Sequence, residues 1–136
     1  MTTPTPPESR TRSTFLVQSD FDRLEDWCRM VRVVLGGHGP FLVGSVTERA
    51  DYRDVDLRTI LPDKSFDRLF RKRLEAVRFL NRGFSIWGQQ ETGLPIDFQV
   101  QRMTEANAEF DKPRNAMGVR DWSIIPTSGV PKAANQ

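Results

Sequence analysis

Two eight-residue stretches, DVDLRTIL at 54–61 and LPIDFQVQ at 94–101, alternate apolar with polar side chains, and no other feature restricts the fold so tightly. A strand turns successive side chains to opposite faces, so Val55, Leu57 and Thr59 share one side while Asp54, Asp56 and Arg58 share the other. In the second stretch Ile96, Phe98 and Val100 oppose Asp97, Gln99 and Gln101. A sheet that is apolar on one face must be covered there by other elements. Its polar face then carries acids from two strands.

The covering elements are legible in the 3.6-residue period. SDFDRLEDWCRMVRVVLGG places Phe21, Leu24, Cys28, Val31 and Leu35 at spacings of three and four, predicting a helix capped by Ser19 and stopped by Gly36-Gly37. Phe41-Leu42-Val43 reads as a buried strand that ends at Gly44-Ser45, and ERADYR as a polar loop. Pro62 and Asp63 break the 54–61 strand. Phe66, Leu69, Phe70, Leu74 and Val77 then predict a second helix up to Leu80, closed by Asn81-Arg82-Gly83. FSIWGQQETG fits a short strand or an irregular segment, and TEANAEF a short helix capped by Thr104. The remainder reads as loop and tail, with Trp122, Ile124 and Ile125 as its apolar exception. This order predicts an α+β fold, a small mixed β-sheet with helices packed on one face.

A chain of 136 residues supports one domain. Its expected limits are 15–126, between a Thr/Pro/Ser/Arg-rich tail at 1–14 and a second tail at 127–136. The formal charge of +2 offers no broad cationic field, although only four of the 20 basic residues are lysine and guanidinium suits bidentate phosphate contacts. Cys28 is the only cysteine, which excludes an intrachain disulfide. No apolar run approaches a membrane span, and the amino-terminal stretch lacks the apolar segment of a signal peptide, so the expected setting is cytoplasmic.

With 11 aspartates in the chain, chance alone supplies about one Asp-x-Asp pair. Asp20-x-Asp22 is one such pair, and on a helix it serves the first-turn dipole. Asp54-x-Asp56 differs, because a strand sets both carboxylates on one side, roughly 6 to 7 Å apart at the backbone. Like charges so placed repel unless Arg58 or a divalent cation neutralises them, and Mg²⁺ favours carboxylate, water and phosphate oxygens. Asp97, on another strand, is the candidate third ligand. Gly44 lets the backbone approach a phosphate closely, and the Ser45 hydroxyl with nearby amides can donate to its oxygens.

Taken in order, VGS, DVDLR and PIDFQV resemble the core of the DNA polymerase β-like nucleotidyltransferase superfamily, particularly its minimal single-domain members, over about residues 40–101. In that family a Gly-Ser ends the first strand, an Asp-x-Asp lies on the second and a further acid on a later strand. The resemblance implies transfer of a nucleoside monophosphate from an NTP such as ATP to a hydroxyl acceptor, with two Mg²⁺ (or Mn²⁺) ions. Asp54 and Asp56 would hold both ions; Asp97 would ligate one and assist deprotonation of the acceptor. Gly44 and Ser45 would position the β- and γ-phosphates, and Arg58 would either stabilise developing charge or pair with Asp97.

The acceptor class stays open among RNA, protein and small molecule. With 39 residues after Asp97, the acceptor is expected to be held by the core, a second protomer or a protein partner. Small relatives of this family include toxin–antitoxin, resistance and phage-encoded proteins. Two other readings compete: a degenerate member that binds nucleotide or metal without transfer, and an interaction scaffold whose acids are surface charge. His38 reads as a loop residue. Trp87 and Trp122 read as core or as base-stacking aromatics, with core the more frequent role.

Overall fold

The computed structural model describes residues 14–109 and 115–119. The elements run α1 (Gln18–Leu35), β1 (His38–Val43), a 3₁₀ turn (Ser45–Thr47), β2 (Val55–Leu61), α2 (Asp63–Phe70), α3 (Leu74–Thr92), β3 (Ile96–Arg102), α4 (Met103–Glu109) and β4 (Asn115–Ala116). The four strands form one sheet in the order β3-β2-β1-β4. β1 is antiparallel to β2 and to β4, whereas β2 and β3 are parallel. The fold is α+β with a mixed sheet.

Alternation along β2 and β3 builds the core. Val55, Leu57, Ile96, Phe98 and Val100 are buried and join Leu24, Trp27, Cys28 and Val31 of α1 in one apolar cluster. Trp27 sits at its centre, edge-on to Phe98 at 6.1 Å and to Trp87 at 5.6 Å between centroids. α1 and α3 cross tightly there, since a side chain at Gly88 would meet the Trp27 ring at 2.8 Å. Trp87 is therefore a core aromatic, while Trp122, Ile124 and Ile125 lie outside the described residues, as do residues 1–13. Burial and the neighbouring Glu25 push the Cys28 thiol well above its ordinary value, which keeps it protonated and inert.

Several boundaries differ from expectation. Val17, not Ser19, is the N-cap of α1, and no side-chain hydrogen bond caps that end; Gly36 does terminate it. His38 belongs to β1, paired with Ile60, rather than to a loop. The helix expected to end at Leu80 is two helices, separated by left-handed backbone at Arg71 and Lys72. The second runs through Asn81-Arg82-Gly83 to Thr92, so FSIWGQQETG is helical up to its final residue, the left-handed cap Gly93. Its polar side chains explain why. Val100 donates its N–H to Asn81 Oδ1 at 2.9 Å, Phe98 donates to Ser85 Oγ at 2.8 Å, and Gln89 Nε2 donates to the Ile96 carbonyl at 3.0 Å. Spaced by four, these residues lie on one helical face and satisfy the outer edge of β3, which outweighs the helix-breaking tendency of Asn81 and Gly83.

Thr104 does not cap α4, which starts at Met103; its N–H and hydroxyl both donate to Asp63, tying α4 to the start of α2. The segment expected as loop contributes β4. Beyond β4, Met117 donates to the Pro40 carbonyl at 2.7 Å and Gly118 donates to the buried Glu25 at 2.7 Å.

Candidate metal centre

The polar face of the sheet gathers the acids at one end. In the parallel register of β2 and β3, Asp56 lies directly beside Asp97, and the antiparallel partner of Asp56 on its other side is Val43, the last residue of β1. Asp54 immediately precedes β2. Asp54, Asp56 and Asp97 each offer a carboxylate oxygen, and the three oxygens lie within 4.8 Å of one another. Oxygens bound to one Mg²⁺ at 2.0–2.1 Å stand roughly 3 to 4 Å apart, so a small adjustment of the exposed Asp54 and the half-buried Asp56 and Asp97 side chains would close this set on a cation.

Electrostatics at the trio have one dominant feature. The Asp56 carboxyl is held above its ordinary value, first by burial, which the Arg58 charge opposes, and then by the Asp97 charge, a hydrogen bond shared with Asp97 and the Asp54 charge. A half-buried carboxyl raised in this way, with two further acids beside it, is an environment that a cation would relieve.

Gly44 shapes the same corner. With φ of +81° it turns the chain out of β1, and a side chain there would place its Cβ 2.1 Å from Asp56 Oδ2. Only glycine leaves room for that carboxylate. The following turn is fixed: the Gly44 carbonyl accepts from the Thr47 N–H at 3.1 Å and its hydroxyl at 2.7 Å, and the Ser45 carbonyl accepts from Glu48 and Arg49. Buried Val46 anchors the turn in the core, and its carbonyl accepts from Phe15. Ser45 is thereby held, partly exposed, next to the glycine that contacts Asp56.

Arg58 occupies the next position on this face of β2. Its guanidinium donates to the main-chain carbonyls of Leu57 at 3.0 Å and Asp97 at 3.3 Å. Of the two expected roles, pairing with the Asp97 carboxylate is not what these bonds provide; they clamp Arg58 beside the acids, and its charge acts on Asp56. The control pair separates as expected: Asp20 pairs with Arg23 and Asp22 accepts from Gln18, both within α1. Gly44 as a spacer for Asp56 was not readable from sequence, because the contact spans two strands and φ leaves no signature beyond the glycine itself. Searches against protein-family models, curated proteins and solved structures found no match.

Proposed function

We propose that the chain is a metal-dependent nucleotidyltransferase that moves a nucleoside monophosphate from an NTP to a hydroxyl acceptor. One observation carries this reading: three carboxylates, from the residue before β2, from β2 and from β3, converge within 4.8 Å on the polar face of a mixed sheet. The Gly44-Ser45 turn stands against them. A divalent cation such as Mg²⁺ or Mn²⁺ would supply charge neutralisation at the phosphates and a lowered pKa for the attacking hydroxyl. Asp54, Asp56 and Asp97 would hold it, and Asp97 would take the acceptor proton. Gly44 and Ser45 would bind the β- and γ-phosphate oxygens, and Arg58, clamped by main-chain carbonyls, would oppose charge that develops on the transferred phosphoryl.

No helix among the described residues is long and apolar enough to cross a membrane. We assign the protein to the cytoplasm, in keeping with its lone, buried cysteine.

The reading is tested by incubating α-labelled NTPs with the protein, Mg²⁺ or Mn²⁺, and RNA, protein or small-molecule acceptors. Label transfer with pyrophosphate release, lost in Asp54→Ala with Asp56→Ala, is expected. Acid-dependent NTP binding without transfer to any acceptor would instead identify a nucleotide-binding protein without catalysis. Absence of NTP binding would exclude both.

A further inference from the structure

The corner where α2 meets α3 concentrates charge that the rest of the molecule lacks. Between residues 68 and 82 lie Arg68, Arg71, Lys72, Arg73, Arg78 and Arg82 against a single acid, Glu75, a local balance of +5 in a chain of +2, which leaves −3 for the remainder. All six are exposed, and no ion pair engages them among the described residues. Asp67, whose charge Lys72 also feels, is already held by Arg102 through bonds of 3.0 and 3.1 Å.

Apolar surface is interleaved with these cations. Leu74 is 75% and Phe79 71% exposed, so neither contributes to the core. Together with Lys72, Arg73, Glu75 and Ala76 they line an open depression of about 520 Å³. An uncovered aromatic ring in a depression that Lys72 and Arg73 also line matches two needs of one ligand: phosphates for the cations and a flat base for the ring.

We propose that this corner binds single-stranded nucleic acid, with the phosphodiester backbone on Arg71, Lys72, Arg73 and Arg78 and a base on Phe79. A duplex keeps its base faces stacked inside and has none to offer Phe79. An acidic peptide would answer the cations and leave the ring unused. The site is separate from the metal centre. Gln89 reaches Ile96, Ser85 reaches Phe98 and Asn81 reaches Val100, so α3 runs against β3 and its first turns lie toward Arg102. Five residues of strand, about 17 Å, separate Asp97 from that end. The proposal stands whether or not the acids catalyse transfer.

Fluorescence anisotropy of the full chain with labelled oligouridine and oligothymidine tests it. Binding is expected to weaken steeply between about 50 and 200 mM salt, with each neutralised phosphate contributing about 0.7 to the log–log slope. Arg71→Ala with Arg73→Ala should reduce that slope by about 1.4 and weaken binding by roughly tenfold or more. Phe79→Ala, which preserves charge and lies outside the core cluster, should weaken binding roughly tenfold at unchanged slope and unchanged melting temperature. Preference for oligouridine assigns RNA, and preference for oligothymidine DNA. Wild-type affinity in Phe79→Ala, equal affinity for a duplex of the same length, stronger binding of oligoglutamate, or no binding of either oligomer at low salt would each overturn the proposal.

Discussion

Gly44 and Asp56 are coupled more closely than their separation in sequence suggests. Because a Cβ at 44 would fall 2.1 Å from Asp56 Oδ2 and φ is +81°, Gly44→Ala must strain the backbone and displace the carboxylate. A loss of about 1–3 kcal/mol is expected in urea denaturation, together with weaker Mn²⁺ binding. Asp56 itself is a destabilising residue at neutral pH. Its folded pKa lies above the ordinary 3.8, so the native state binds more protons than the unfolded state in the interval above that value, and stability falls as pH rises across it. Asp56→Asn is therefore expected to melt higher than wild type at pH 7, with the difference shrinking as pH drops toward 3.8. Melting curves across that range check this; an Asn variant that melts lower at pH 7 would contradict it.

At the scale of elements, α3 is held to the sheet by a polar stripe, Asn81, Ser85 and Gln89, as well as by an apolar one. Removing the Ser85 hydroxyl leaves the N–H of the fully buried Phe98 without its partner, so Ser85→Ala should cost about 1–3 kcal/mol in urea denaturation and raise exchange at the Phe98 amide. An unchanged midpoint would mean that the edge finds another partner. The same stripe marks where sequence reading of elements stopped. β2 and β3 were legible because alternation is local, and so was the end of α1 at Gly36. The continuation of α3 past Asn81 and Gly83 was not, because it depends on hydrogen bonds to residues up to 19 positions away. Nor was β4, two residues long and defined only by its pairing with Phe41 and Leu42.

For the molecule as a whole, the parallel pairing of β2 with β3 converts two separate alternating segments into one acidic corner. The three acids could be named from sequence, since each falls at a polar position of an alternating segment. Their distance could not, because register is decided by the Leu57–Phe98 and Val55–Ile96 rows packing beneath α1 and by an α2–α3 crossover that the sequence reads as a single helix. The basic corner lies toward the opposite end of β3, about 17 Å of strand away from Asp97. Whether the acidic corner is a metal site is decided by calorimetric titration of Mn²⁺ with and without ATP into wild type and into Asp54→Asn with Asp56→Asn. Saturable Mn²⁺ binding that tightens with ATP and disappears in the double variant is the expected result; Mn²⁺ and ATP binding that is absent in the wild type, or unchanged in the variant, would contradict it.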